Sequence, residues 1–278
     1  MARKNIGDLT RKKAAGEKIT MLTAHDAAFG AMIDQAGVDA VLVGDSLGMV
    51  ALGYDSTVPV TMAEMLHHAK AVRRGVKEAL LIGDMPFLSY QVEARQAIYN
   101  AGRFMKEAGC DAVKMEGGGE IGETVAAVVR AGIPVMGHIG LTPQTAAQSG
   151  GFKVRGREAA AAEKLRHEAG ELAAAGIFAL VLECIPSELA GEISRSLAIP
   201  TIGIGAGPLC DGQVLVTPDL LGLFERFRPR FVKQYADLAP QVRSALAAFR
   251  AEVETGIFPD AAHSFSSEVE GKARTADK

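Results

Sequence analysis

Four apolar runs of this sequence each end in an acid: VLVG before Asp45, LLIG before Asp84, AVKM before Glu116 and LVL before Glu183. Apolar runs without polar alternation read as strands buried on both faces of a parallel sheet. Parallel strands bring their ends to one side. Four carboxylates gathered there repel one another and resist ionisation, and a bound divalent cation is the simplest way to hold them. Asp45 and Asp84 would also suit the N-cap of a following helix. Glu116 precedes Gly117-Gly118-Gly119, where the chain leaves its strand. Capping accounts for the aspartates and leaves the glutamates unexplained.

Lys114 sharpens the pattern. It stands two residues before Glu116, so both side chains share one face of a strand. Inside a closed sheet both charges are buried, which is costly unless they are paired. Such a lysine could clamp a substrate carboxylate or oxyanion. The neighbouring acids keep it protonated, which argues against a Schiff base. His138 ends another apolar run, in MGHIGLTP, and suits either a supporting place behind the acids or a core histidine bonded to backbone. His25 and Asp26 end the first run in the same way, while His67 and His68 fall within a helical run and read as structural. GIGAG (203–207) stands where barrels often bind phosphate; a tight turn explains it equally well.

Oxygen donors without a His or Cys cluster favour Mg²⁺ over Zn²⁺. Mg²⁺ takes one or two carboxylates, so Asp45 and Asp84 are the expected direct ligands, with Glu116 direct or bound through water. A 2-oxo acid chelates such an ion through its carboxylate and keto oxygens, and the ion then stabilises an enolate. That chemistry needs a base for a carbon-bound proton. Glu183 is the free candidate.

The elements that must position these residues repeat along the chain. Strands are expected at 19–24, 39–44, 79–84, 111–116, 133–138, 178–183 and 199–204, with a weaker eighth at 213–218. Helical runs fall near 26–36, 61–77, 92–108, 120–131, 157–175 and 186–197, and several end in a glycine that suits a C-cap. About eight such units, and the 278-residue length, favour a (β/α)₈ TIM barrel over an open doubly wound sheet. A short helix at 5–15, capped by Asn5 or Asp8, precedes the barrel. Helices within 218–255 would close it or pack on a neighbouring subunit, and the basic run Arg226, Arg228, Arg230, Lys233 reads as a solvated helix end. The long connections 45–60 and 139–156 follow strands and suit active-site lids. The expected division is a catalytic barrel over 1–265 and a disordered charged tail over 266–278.

Composition excludes several classes. A net charge of −3 gives no drive toward nucleic acid or an anionic membrane. Three cysteines, an odd number without metal-ligand spacing, argue against a disulfide framework or zinc site and fit a reducing cytoplasm. The basic first residues lack the apolar core of a signal peptide. No apolar run reaches the roughly 18 residues of a membrane span.

At these residues the sequence resembles the ketopantoate hydroxymethyltransferase family. MLTAHD (21–26), VGDSLGM (43–49), DSTVPVTM (55–62), VRRG (72–75), VKMEGG (113–118), GHIGLTPQ (137–144), LVLECIP (180–186), IGIGAG (202–207) and HSF (263–265) look like its successive motifs, in order. The resemblance implies a (β/α)₈ barrel, assembled as a homodecamer. It implies transfer of a one-carbon unit from 5,10-methylenetetrahydrofolate to 3-methyl-2-oxobutanoate, giving 2-dehydropantoate for pantothenate synthesis. Asp45 and Asp84 match the family's magnesium-binding aspartates, with Glu116 the third metal-site acid. Ser46 matches the serine that holds the substrate carboxylate, Lys114 the substrate-binding lysine and Glu183 the proton acceptor. Two departures are His25, where tyrosine is common, and IGDMPF, where alanine often precedes the aspartate. Neither changes a ligand.

Overall fold

The structure is a computed structural model and describes residues 3–149, 151 and 153–265. The strands form because their apolar, β-branched residues have packing partners on both sides. They are β1 (Ile19–Thr23), β2 (Ala40–Val43), β3 (Leu80–Asp84), β4 (Ala112–Glu116), β5 (Val135–Gly140), β6 (Ala179–Glu183), β7 (Thr201–Ile204) and β8 (Gly212–Leu215). They pair in sequence order, and β8 returns to β1, so the sheet closes into a parallel barrel. One set of alternate residues, including Met21, Leu42, Ile82, Ala112, Met136 and Val181, fills the interior. The other set, including Val41, Leu81, Val113, Val135 and Leu180, packs outward against the helices. The (β/α)₈ expectation is met.

The outer layer comprises α2 (Ala27–Gln35), α4 (Met62–Gly75), α5 (Ala94–Ala108), α6 (Gly122–Arg130), α7 (Ala159–Ala174) and α8 (Ser187–Ser196). Helix α5 shows why these segments are helical. Ala97, Asn100, Ala101, Phe104 and Ala108 form one buried stripe at helical spacing, and Gly109 ends the helix in the left-handed conformation. Thr61 and Glu64 cap the start of α4 reciprocally.

Helix α1 (Ile6–Ala15) forms the barrel floor. Asn5 and Asp8 cap it together, each side chain accepting a backbone N–H of the other's turn. Its Leu9 is buried with the barrel interior. Lys12 Nζ donates to Asp39 Oδ2 at 2.7 Å, and Lys13 Nζ donates to Asp211 Oδ2 at 2.8 Å. These aspartates precede β2 and β8. Each also accepts the backbone N–H of the preceding strand, from Thr20 at 2.9 Å and Thr201 at 2.8 Å. One charge on the helix therefore ties two strands at each point.

The C-terminal region differs from expectation. The connection 45–60 contains a helical turn, α3 (Leu47–Val50). Beyond β8 a single turn, α9 (Thr217–Leu220), leads into an irregular segment over 221–237 and then one long helix, α10 (Leu238–Glu254). The basic run at 226–233 therefore lies in irregular chain rather than at a helix end. Its interspersed Phe224, Phe227 and Phe231 line a cavity instead of forming a helical stripe. Residues 266–278, expected to be disordered, lie outside the described residues. Cys110, Cys184 and Cys210 are free thiols. Among the described residues no helix is long and apolar enough to cross a membrane.

Candidate active site

Strand alternation aims most of the site. In β3 the interior positions Leu80 and Ile82 lead to Asp84, and in β4 Ala112 leads to Lys114 and Glu116. Met136 leads to His138 in β5, and Ala179 and Val181 lead to Glu183 in β6. Asp45 is different. Its sequence parity in β2 matches the outward residues Val41 and Val43. The strand ends at Val43, and the chain turns through Ser46 in the helical region (φ −52°, ψ −21°), which brings Asp45 inward. The Asp45 N–H donates to Asp84 Oδ2 at 3.2 Å and fixes that turn. Neither aspartate caps a helix: α3 has no side-chain cap, and the Asp84 carboxylate is taken up by Asp45 and Lys114.

Carboxylate oxygens of Asp45, Asp84 and Glu116 lie within 4.8 Å of one another, and all three residues are buried. Lys114 Nζ bridges two of them, donating to Asp84 Oδ1 at 2.6 Å and Glu116 Oε1 at 3.0 Å. The His138 ring stands between the glutamates. Its Nδ1 is 3.2 Å from Glu116 Oε1 and its Nε2 is 3.2 Å from Glu183 Oε2. Neither approach has hydrogen-bond alignment, so these are ion-pair contacts of a buried ring. Asp45, Ser46, Asp84, Lys114, Glu116, His138 and Glu183 all line one cavity of about 70 Å³ at the strand ends. His25 and Asp26 do not join it. Asp26 caps α2, and His25 contacts Asp26 at 3.5 Å. His68 Nδ1 lies 2.6 Å from the His25 carbonyl. GIGAG is a tight turn: Gly205 has φ +63°, and a Cβ there would come within 2.7 Å of Phe231.

The charges explain the protonation tendencies. Burial, followed by the fields of Asp84 and Glu116, pushes the Asp45 carboxyl well above the usual carboxylate range. Burial also raises Asp84, against the pull of Lys114. Glu116 is buried too, but Lys114 and His138 outweigh that and hold it down at about 2. Burial opposes the His138 imidazolium, yet Glu116 prevails and lifts it to about 9. Lys114 is raised despite burial, chiefly by Asp84 and Glu116. With every acid ionised, four carboxylates would face one ammonium and one imidazolium, an excess of two negative charges that burial opposes. The donors nearest one another are all oxygens. Both features fit a hard divalent cation such as Mg²⁺.

Three residues escaped the sequence reading. Gln144 Nε2 donates to Asp45 Oδ2 and to Met85 O, each at 2.9 Å, and its backbone N–H donates to Glu116 Oε2 at 3.2 Å. The Tyr90 hydroxyl accepts from the Glu116 N–H at 3.0 Å and has Gln144 Oε1 within 2.8 Å as an acceptor. Thr57 Oγ1 is buried on the cavity wall and has no hydrogen-bond partner among the described residues. Gln144 and Thr57 sit inside motifs already singled out, GHIGLTPQ and DSTVPVTM. A neutral polar residue on a loop gives no periodicity and no charge conflict to flag it.

Fold and site together define a (β/α)₈ barrel with a buried acidic cluster at its strand ends, of a kind that could hold a metal ion. Residues 3–261 match the family model described as ketopantoate hydroxymethyltransferase, and the chain belongs to that enzyme family. It is 59% identical over 270 residues to the 3-methyl-2-oxobutanoate hydroxymethyltransferase of Desulfotalea psychrophila, covering 97% of each chain. It is 60% identical over 264 residues to that of Moorella thermoacetica, covering 95% of this chain and 98% of the relative. Among solved structures, phosphoenolpyruvate phosphomutase from Streptomyces platensis subsp. rosaceus shares the fold with a TM-score of 0.59 at 16% identity, over 91% of this chain and 88% of that one. Phosphonopyruvate hydrolase, solved with oxalate and Mg²⁺, also aligns with a TM-score of 0.59, at 15% identity over 95% and 92%.

Proposed function

We propose that the protein transfers a hydroxymethyl group from 5,10-methylenetetrahydrofolate to 3-methyl-2-oxobutanoate, forming 2-dehydropantoate for pantothenate synthesis. Asp45 and Asp84 hold Mg²⁺, with Glu116 a third ligand, direct or through water. Bound there, the ion would supply Lewis acidity to the substrate's keto oxygen. Ser46 Oγ makes no protein hydrogen bond among the described residues and faces the cavity, so it is free to bind the substrate carboxylate. Lys114 adds a fixed positive charge beside it. His138 holds Glu116 and Glu183 at their places. Glu183 accepts the C3 proton. Carbon C3 bonds to the methylene carbon and both C–N bonds to that carbon break; one water supplies the hydroxyl and one proton, and the proton taken from C3 supplies the second, so that both folate nitrogens leave as N–H.

The single observation that carries this reading is the juxtaposition of Glu183 with the Asp45–Asp84–Glu116 cluster on one cavity. It separates a base from the ligands while keeping both in reach of a small oxo acid. The test is 2-dehydropantoate formation with each component omitted in turn. Product should require the folate donor, vanish with EDTA and return with Mg²⁺. Turnover of the oxo acid without folate, or undiminished turnover in EDTA, would overturn the assignment. Self-association is part of the same reading. Helix α10 exposes Val242, Leu246, Phe249 and Val253 at helical spacing, an apolar stripe suited to a second copy of the chain in a homodecamer. Three free thiols support residence in the cytoplasm.

A further inference from the structure

A second cavity, about 360 Å³, opens from the first and shares Ser46, Thr57, Pro143 and Glu183 with it. Its size falls in the roughly 300–1,000 Å³ range of small-molecule sites. We propose that this cavity seats the pterin ring of the one-carbon donor, with the Asp219 carboxylate accepting from the ring's N3–H and 2-amino groups. The assignment rests on the hydroxymethyl transfer proposed above.

Geometry restricts where the donor can lie. Its methylene carbon must reach the substrate carbon whose proton Glu183 removes. Glu183 lines both cavities: Asp45, Asp84 and Glu116 line the smaller one with it, and none of the three lines the larger. The walls there are apolar and aromatic, with Leu141, Val154, Phe224 and Phe231 among them. Such walls suit a flat fused ring. Phe231 reaches its place because residue 205 is glycine.

Asp219 is the feature that selects the ligand. It lies in α9, whose first residue is anchored to β1: Thr217 Oγ1 donates to Thr23 O at 2.6 Å, and the Thr217 N–H donates to Thr23 Oγ1 at 3.0 Å. Its carboxylate has no hydrogen bond or ion pair among the described residues. Burial alone pushes it up to about 6. A half-buried carboxylate without a donor is costly, and a ligand with paired N–H groups relieves that cost. A purely apolar ligand would leave it unpaired. A phosphate or sulfate would meet both Asp219 and Glu183 and be repelled. The 2-amino-4-oxo edge of a pterin presents two adjacent donors and no charge. Lys153 and Arg230 also line this cavity and are exposed, which suits the carboxylates of the donor's glutamate tail.

The test compares the full-length Mg²⁺-loaded protein with Asp219→Asn and Asp219→Ala. KM is measured for the folate donor and the oxo acid separately, and tetrahydrofolate binding is followed by calorimetry. Losing a hydrogen bond to a charged group predicts a rise of at least about tenfold in donor KM and in tetrahydrofolate Kd. The oxo-acid KM should hold. A reduced pterin lacking the tail should compete with the donor in the wild type and much less in the variants. Unchanged donor KM overturns the assignment, as does an equal rise in both KM values. A wild type that neither binds tetrahydrofolate nor turns over the donor overturns the functional reading as well. Donor-dependent turnover with variants equal to wild type overturns the pterin assignment and leaves the hydroxymethyl transfer standing.

Discussion

Gln144→Leu tests whether the acids proposed to hold the metal are aimed by a neutral partner. Leucine is close in volume and removes only the amide. Two acceptors lose their donor, Asp45 Oδ2 and the buried carbonyl of Met85. The first is a hydrogen bond to a charged group and contributes about 2 kcal/mol; the second leaves a buried carbonyl unpaired at about 1 kcal/mol. Tyr90 loses little, because its hydroxyl has a second acceptor, Glu116 O, at 2.9 Å. The total of about 3 kcal/mol is below a typical stability of about 5–15 kcal/mol, so the variant still folds. Its thermal midpoint should drop by roughly 6–12 °C. Asp45 would also lose its fixed orientation, and divalent-ion affinity should weaken about 10–100-fold, as when an outer partner of a metal ligand is removed. Differential scanning calorimetry and Mg²⁺ titration measure the two effects. Tyr90→Phe, which keeps both Gln144 donors, should change metal affinity far less. A Gln144→Leu protein with full Mg²⁺ affinity would refute the positioning argument, even if its stability had fallen.

Other expectations follow from single contacts. Glu183→Gln should abolish C3 proton exchange in the oxo acid while Mg²⁺ binding persists; isotope exchange that continues at the wild-type rate removes Glu183 as the base. Asp39 is buried at its side chain but held below the usual carboxylate range: Lys12 and Thr20 outweigh burial. A depressed folded pKa gives stability that is present above 3.8 and lost as pH falls through the lower folded value. Asp39→Asn should therefore cost roughly 1.5–3 kcal/mol at pH 7, and urea midpoints of variant and wild type should converge in acid. Leu246→Asp with Phe249→Asp should shift sedimentation toward smaller species, since both residues are exposed on the α10 stripe; unchanged sedimentation would remove that face from the assembly.

Legibility in the sequence followed physical constraint. Asp84, Glu116 and Glu183 stand where strand alternation leaves them facing inward, and Lys114 follows from Glu116 by simple parity. Asp45 has the wrong parity and reaches the site through a turn, so its place followed from its ending an apolar run and not from strand alternation. Strand β8 was the weakest expectation because Gln213 faces solvent, and the strand lacks the double burial that marks the others. The segment after it misled more. Helices were expected within 218–255, but between α9 and α10 the chain is irregular, and Phe224, Phe227 and Phe231 serve as cavity walls there. Gln144, Tyr90 and Thr57 act through uncharged polar atoms, which become visible only when their neighbours are in place.

The ring of strands is completed by its most distant staves. Ile19 to Leu22 pair with Gly212 to Leu215, and Lys13 finds its aspartate 198 residues downstream. A nascent chain emerging from the ribosome therefore carries β1 with one raw edge until nearly the whole polypeptide has been made. Such an edge invites pairing with other chains. Premature termination anywhere before residue 212 leaves a trough instead of a cylinder, however well the earlier units have folded.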